Sequence, residues 1–92
     1  MSTEIVIKMP TRFDYSSSAD FNKAISSALE NPGVITLDCS DLEYIDSAGI
    51  GLLVMSQKKV QSHQSTMVMV NLKAAPLEIV NLANLRKLIE IQ

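Results

Sequence analysis

Two neighbouring segments decide the fold of this 92-residue chain: Val34-Ile-Thr-Leu37 and Tyr44-Ile-Asp-Ser-Ala-Gly-Ile-Gly-Leu-Leu53. The first is a short run of residues that favour β-strands. The second passes through Asp46 and Ser47 into a segment with the apolar spacing of a helix. The sequence therefore predicts a buried strand, a polar connection and a helix that begins at a serine.

The rest of the chain continues this alternation of strands and helices. Strands are predicted at 4–9, 34–37, 67–70 and 87–91, and helices at 18–30, at 47–62 and from Pro76 onward. This order predicts an α/β fold, a small and mostly parallel sheet of about four strands with about three crossover helices. The nearly continuous apolar run of the second strand is typical of a strand that is buried on both faces, but the sequence does not decide whether helices cover one face of the sheet or both. We expect one domain over 1–92.

Composition excludes several classes of function. The net charge of -2 and the low aromatic content argue against nucleic acid as a partner. The first residues lack the pattern of a signal peptide, and no apolar run is long enough for a membrane span, so a cytoplasmic location is predicted. Cys39 is expected to be a small buried residue and His63 a solvated one. The acids around Ser47 are read as solvated, so neither a metal nor a cofactor is predicted.

Ser47 is the candidate site residue because it begins a helix at the carboxyl end of a predicted strand connection. Gly49 and Gly51 in the first turn each cost about 1 kcal/mol relative to alanine, which indicates close approach of a strand or a partner. The simpler interpretation is that Asp46 or Ser47 only caps the helix. Near the first helix, Ser17 and Asp20 are in the register of a capping box.

The second helix carries apolar residues on two sides. Its projection predicts a core face that consists of Ile50, Leu53, Val54 and Val60. Leu52 and Met55 fall off that face and flank Gly51, so we expect them to form part of a partner surface whose replacement leaves thermal stability nearly unchanged.

The segment Tyr44 to Leu53 resembles the phosphorylation-loop motif of STAS domains, specifically that of the single-domain anti-sigma factor antagonists. The resemblance implies that Ser47 is phosphorylated by an anti-sigma factor kinase or a related serine kinase. Phe13-Asp14 resembles the step before the first helix of that family. The positions that the resemblance assigns to support of the phosphorylation loop are Asp14, Asp46, Ala48, Gly49 and Gly51.

The resemblance also implies a function in signal transduction by partner switching, with transcription regulation as one output and biofilm formation or motility as others that stay open. The unphosphorylated chain would bind the anti-sigma factor or kinase, phosphorylation of Ser47 would release it, and a serine phosphatase would reset the cycle. The chain itself would not be an enzyme. Compared with the family, the N-terminal hairpin and the C-terminal helix are expected to be shortened, and an uncovered sheet edge could support a homodimer.

Three alternatives remain at this point. An acyl carrier-like protein would bear phosphopantetheine on Ser47, but carriers are helical bundles. A receiver domain would use Asp38 as its phosphoacceptor, but this requires five parallel strands and more acidic residues. A constitutive STAS binding module would leave Ser47 as a helix cap only.

Overall fold

The computed structural model describes residues 3–92. The strands are β1 (Thr3–Lys8), β2 (Arg12–Phe13), β3 (Gly33–Asp38), β4 (Tyr44–Ile45), β5 (Thr66–Val70) and β6 (Glu90–Ile91). The helices are α1 (Ser18–Ala28), α2 (Ser47–Ser62) and α3 (Ala74–Leu82), and 3-10 turns cover Tyr15–Ser17 and Leu85–Lys87.

Four strands form one parallel sheet in the order β1-β3-β5-β6. Each pair of sequential neighbours in this sheet is joined by a connection that contains one helix: α1, then α2, then α3. Parallel neighbours run in the same direction, so the chain must return along the sheet before the next strand begins. A tight turn is too short for this, and a crossover helix makes the connection. The predicted α/β class, with a sheet of four strands and three crossover helices, is confirmed.

The core lies on one face of the sheet. The buried residues of that face belong to the same apolar cluster as buried residues from all three helices. From the sheet the cluster takes Ile35, Leu37, Met67 and Met69, and from the helices it takes Phe21, Ile25, Ala28, Leu53, Val60 and Val80. Because the four strands are parallel, their carboxyl ends lie at one edge of the sheet, and α2 begins after the connection that leaves β3 at that edge.

The opposite face of the sheet carries a mixture of β-branched and charged residues. Val6 on this face is 61% exposed, and Val68, although buried, does not belong to the core cluster. Thr36 donates a hydrogen bond from Oγ1 to the Glu4 carboxylate over 3.2 Å. The sequence left open whether helices cover one face of the sheet or both. In the structure the buried residues of all three helices belong to the cluster on one face, while Thr36 on the opposite face is also buried.

A second, two-stranded parallel sheet was not predicted. β2 pairs with β4, so that Arg12 stands beside Tyr44 and Phe13 beside Ile45. Phe13 is fully buried and packs edge to face on Phe21 with 4.9 Å between ring centroids. Two-residue strands are too short to show a hydrophobic period, which is why the sequence indicated only connections here.

Several predicted boundaries are corrected by the structure. α1 ends at Ala28 and is preceded by a 3-10 turn capped by Asp14, in place of the predicted box of Ser17 and Asp20. α3 begins at Ala74, so Pro76 lies inside the first turn, where the backbone N–H groups have no intrahelical partner and a proline is tolerated. The predicted last strand is shortened because Leu85–Lys87 form a 3-10 turn.

The parallel sheet contradicts the acyl carrier alternative, which requires a helical bundle. Within residues 3–92, each helix is too short or too polar to cross a membrane.

Candidate functional site

Asp46 caps α2. Its backbone is extended, and its side-chain Oδ1 accepts a hydrogen bond of 2.9 Å from the Gly49 N–H. Its carbonyl oxygen accepts the first helical hydrogen bond, from the Ile50 N–H. The Asp46 side chain therefore accepts from one of the backbone N–H groups that have no partner within the helix, as an N-cap residue does. Of the two capping residues that the sequence left open, the structure uses Asp46.

Ser47 is the first residue of α2, and its side chain is exposed. In the described part of the chain, the Ser47 hydroxyl takes part in no hydrogen bond, whereas the neighbouring Asp46 carboxylate does. The start of a helix also carries a partial positive charge from its unpaired N–H groups. The hydroxyl is thus accessible at a position that favours a negative charge.

The two glycines of the first turn have different environments. A Cβ on Gly49 would stand 2.4 Å from the Phe13 carbonyl oxygen and 2.9 Å from Ile45 Cγ1. Among residues 3–92, a Cβ on Gly51 would meet no heavy atom within 4 Å outside the adjacent residues and backbone of its own helix. Of the two explanations that the sequence offered, close approach of a strand accounts for Gly49, which lets α2 pack on β2 and β4. Gly51 makes no such close approach to another element of the described structure.

Ser47, Gly51 and Met55 form one exposed stripe on α2, which we call the Ser47 stripe. Residues four apart lie on the same side of a helix, and eight residues span about 12 Å. Met55 is 71% exposed although it is a large apolar residue. An exposed methionine in line with the accessible serine gives this stripe an apolar end and a polar end.

Leu52 differs from Met55. It is half-buried and packs against the edge of the core cluster. The expectation that Leu52 lies off the core is thus wrong in part, because the apolar face of α2 is wider than the projection assumed. Ile50 and Val54 are likewise only half-buried, while Gln57, which was not predicted, is buried with them.

Arg12 was missed by the sequence analysis. Its Nε donates a hydrogen bond of 2.8 Å to the Asp14 carboxylate, and its guanidinium lies 4.6 Å from the centroid of the Tyr44 ring. The hydrogen bond to Asp14 raises the pKa of Arg12, and the charges of Tyr44 and Asp46 raise it further. Arg12 therefore links Asp14 to the segment that precedes Ser47. Only the pairing of β2 with β4 brings them together, and this pairing leaves no periodic signal.

Asp14 is held by several donors. Its carboxylate accepts hydrogen bonds from the Ser16 hydroxyl, from Arg12 and from the Ser16 backbone N–H, and these bonds lower its pKa. Ser17 completes a capping box by accepting from the Asp14 N–H. Asp14 is thus a structural cap that orients Arg12.

The remaining candidates of the sequence analysis lie away from Ser47 or are already engaged. Cys39 is buried, and burial raises the pKa of its thiol to about 12. Asp38 accepts hydrogen bonds from Asn71 and Ser40, which lower its pKa. His63 is exposed at the end of α2, with Nδ1 2.9 Å from the Lys59 carbonyl oxygen. Across residues 3–92, His, Cys, Asp and Glu form no group of three or more that could hold a metal.

A cavity of about 420 Å³ lies between the end of β1 and the first turns of α1. Its lining includes Lys8, Phe13, Asp20 and Phe21, and it contains no residue of α2. This cavity is therefore separate from Ser47, which is itself exposed at the start of α2.

The fold and the site together define a small α/β domain that presents an accessible serine at the capped start of a helix. A family profile described as "Mlab, STAS domain" matches residues 2–90. A STAS-domain-containing protein of Pseudomonas aeruginosa (strain UCBPP-PA14) is 23% identical over 88 residues, which are 96% of this chain and 87% of that protein. The chain belongs to the STAS domain family, as its resemblance to the motif predicted.

Two solved structures of similar fold are those of the anti-sigma factor antagonist SpoIIAA. The antagonist SpoIIAA in its unphosphorylated form superposes with a TM-score of 0.79 at 16% identity, over 100% of this chain and 82% of that one. The Bacillus cell fate determinant SpoIIAA in its phosphorylated form gives a TM-score of 0.71 at 16% identity, over 100% and 85% of the two chains. The predicted fold of the anti-sigma factor antagonist type is confirmed.

Proposed function

We propose that this chain is a partner-switching regulator of the anti-sigma factor antagonist type. Without phosphate it binds an anti-sigma factor or a related serine kinase, and phosphorylation of Ser47 releases that partner. The observation that carries the proposal is the separation of roles at the start of α2. Asp46 caps the helix through its bond to Gly49, while Ser47 is exposed and without a hydrogen bond in the described chain.

The physical chemistry of the helix start supports phosphorylation without loss of the fold. A phosphate on Ser47 would add about 1.5 to 2 negative charges beside free N–H groups and the positive end of the helix dipole, both of which stabilise an anion. The Asp46 cap does not use the Ser47 hydroxyl, so it would persist. SpoIIAA, which shares the fold, has been solved in both phosphorylation states.

The Ser47 stripe supports an effect of that charge on binding. Met55 supplies exposed apolar area for a partner, and Gly51 lets the partner approach the helix backbone where a side chain would otherwise stand. A partner packed across the stripe would have to bury the phosphate beside the Asp46 carboxylate, and an unpaired buried charge costs several kcal/mol. A shift from mostly bound to mostly free requires about 5.5 kcal/mol, so one phosphate has the required magnitude.

The remaining parts of the proposal follow from the same role. The chain acts as one STAS domain over 1–92, performs no catalysis itself, and works in the cytoplasm, where a serine phosphatase resets Ser47. Arg12 and Asp14 support the phosphorylation segment by fixing Tyr44 through the cation–π contact. Ala48, Gly49 and Gly51 shape the helix start.

The test compares four immobilised chains in native cell extract: wild type, Ser47→Ala, Ser47→Asp and Met55→Lys. We expect wild type and Ser47→Ala to retain a protein with a kinase-like ATP-binding domain, and Ser47→Asp and Met55→Lys to lose it. The captured protein is then purified and incubated with the wild-type chain and ATP. Mass spectrometry should place the new phosphate on Ser47 and release should accompany it.

Ser47→Ala is the matched control, because it removes the hydroxyl without adding charge. Equal retention of the same protein by wild type and Ser47→Asp, together with no phosphate on Ser47, would refute the switch. The chain would then be a constitutive binding module with Ser47 as an ordinary surface residue of α2.

A further inference from the structure

Strand β1 forms one edge of the four-stranded sheet, with β3 as its single strand neighbour among residues 3–92. Its side chains alternate between the two faces of the sheet. Ile5 and Ile7 are half-buried against the core, while Glu4, Val6 and Lys8 are exposed on the open face. Val6, at the centre, is 61% exposed. A central apolar residue is thus flanked by one charge of each sign.

The backbone of β1 presents hydrogen-bonding groups on its outer side. The Met9 N–H donates to the Asp38 carbonyl oxygen over 2.9 Å, so the backbone groups of Met9 point towards β3. Successive residues of a strand direct their backbone N–H and C=O groups to opposite edges of that strand. The backbone groups of Ile5 and Ile7, like those of Met9, therefore point towards β3. Glu4, Val6 and Lys8 consequently direct both backbone groups to the outer edge, where they can pair with another strand.

We propose that β1 pairs with β1 of a second copy of this chain, antiparallel, with the two-fold axis at Val6. In this register Val6 faces Val6 of the second copy, and Glu4 faces Lys8 of the second copy at each end. All three pairs have outward backbone groups, so each is a hydrogen-bonded pair that exchanges two N–H···O bonds. The pairing is isologous, as a closed dimer requires.

The charges select this register over its neighbours. Parallel pairing in register places Lys8 beside Lys8 and Glu4 beside Glu4, and like charges opposite each other are destabilising. If the antiparallel register shifts by two residues, Val6 lies opposite Glu4 or Lys8 of the second copy. Glu4 and Lys8 then no longer lie opposite each other. A register shift by one residue would pair residues of the open face in one copy with residues of the core face in the other. Only the register centred on Val6 matches both charges and faces.

The existing contacts of these charges do not prevent the pairing. Lys8 Nζ lies 3.4 Å from an Asp41 carboxylate oxygen, and the two side chains are 64% and 57% exposed. Such exposed ion pairs contribute little, so their rearrangement costs little. Glu4 accepts from Thr36 on the same face and has a second carboxylate oxygen for Lys8 of the second copy. No residue of the Ser47 stripe takes part, so the dimer is independent of the proposed switch.

Pairing of one short strand buries less surface than a stable protein interface does, which predicts a dimer that forms only at raised concentration. Sedimentation equilibrium over a wide concentration range measures this. The weight-average mass of the wild-type chain should rise from 10.1 kDa towards twice that value.

Two kinds of variant test the register. Val6→Pro removes an N–H that points away from β3, so the fold keeps its hydrogen bonds while the central pair of the dimer is lost. Val6→Thr is its matched control, because it keeps the N–H and the β-branched shape. Lys8→Glu creates like-charge pairs at both ends of the interface, and the double variant Glu4→Lys with Lys8→Glu restores opposite charges in the reverse sense.

We expect Val6→Pro to remain monomeric and Val6→Thr to dimerise like wild type. Lys8→Glu should weaken dimerisation roughly tenfold, since two cross-strand pairs change sign, and the double variant should recover most of the loss. A wild-type chain that stays monomeric throughout would overturn the proposal. So would a dimer that survives in folded Val6→Pro. If Val6→Pro does not fold, failure of the charge-exchanged variant to recover dimerisation would have the same meaning.

Discussion

Gly49 lies against Phe13 so closely that a Cβ on Gly49 would stand 2.4 Å from the Phe13 carbonyl oxygen. The atom that it would meet belongs to the backbone of β2, which is paired with β4. Relief of the clash would therefore require α2 to move away from both short strands. The start of α2, with Ser47 on it, is positioned by this contact.

Gly49→Ala is expected to destabilise the domain by about 2 to 3 kcal/mol, because a buried methyl group would be forced against backbone. Gly51→Ala is the matched control in the same turn. Its Cβ would meet no atom of another element in the described structure, so the higher helix propensity of alanine should stabilise the domain by up to about 1 kcal/mol. Urea denaturation followed by circular dichroism measures both. Equal effects of the two substitutions would contradict the difference in packing.

Asp46→Ala is expected to lower the free energy of unfolding by about 1 kcal/mol, because the Gly49 N–H loses its side-chain acceptor. Ser47→Ala should change it by less than about 0.5 kcal/mol, since the hydroxyl makes no intramolecular hydrogen bond among the described residues. The same denaturation experiment compares them. A larger loss for Ser47→Ala than for Asp46→Ala would show that the serine is the true cap.

Met55→Lys and Leu52→Lys are expected to differ in their effects on stability. Met55 is 71% exposed, so its replacement should leave the melting temperature almost unchanged. Leu52 packs partly on the core, so its replacement should cost about 1 kcal/mol or more. Thermal unfolding of the two variants measures this difference. Similar melting temperatures would mean that Leu52 contributes no more packing than Met55 does.

The stability of the domain is expected to fall in acid partly through Asp14. Its hydrogen bonds from Ser16 and Arg12 lower its pKa in the folded state. A lowered folded pKa means that the contribution is present above the ordinary value for aspartate, about 3.9, and is lost as the pH falls towards the folded pKa. Denaturation between about pH 7 and pH 3 should show a smaller acid loss in Asp14→Asn than in wild type.

Asp38 supplies a comparison for this measurement, because hydrogen bonds from Asn71 and Ser40 lower its pKa as well. Asp38→Asn should reduce the acid loss in the same direction, and the double variant should reduce it further. An Asp14→Asn chain with the full wild-type acid loss would show that the Asp14 contacts do not favour its ionised form.

The sequence predicted the elements that have a clear period or a strong terminus. α2 occupies 47–62 as predicted, because Asp46 and Ser47 mark its start and its buried side follows the helical repeat. What the sequence could not predict depends on contacts between distant segments. The pairing of Arg12 with Tyr44 involves two-residue strands, and the half-burial of Leu52 depends on where neighbouring elements lie.

The sequence pattern also could not predict which faces of the sheet the helices cover. A run such as Val34 to Leu37 looks the same whether its outward side chains meet a helix or solvent, since valine and threonine favour strands in both settings. The crossovers around the sheet decide this, and here they place all three helices over one face. Residue types within the segment predict that it forms a strand, whereas the side of the sheet on which the helices pack depends on the topology of the whole chain.

The division between Asp46 and Ser47 at the start of α2 has a consequence for divergence of the sequence. If Ser47 is the switch that we propose, the residue that stabilises the helix and the residue that regulates binding are adjacent but separate, so mutation can alter one without the other. A descendant that loses the serine would keep an intact domain that no longer responds to a kinase. A descendant that loses the aspartate would keep the modifiable residue on a weakened helix. Under the proposed function, a single substitution at Ser47 would therefore abolish regulation, while the Asp46 cap would keep the domain stable.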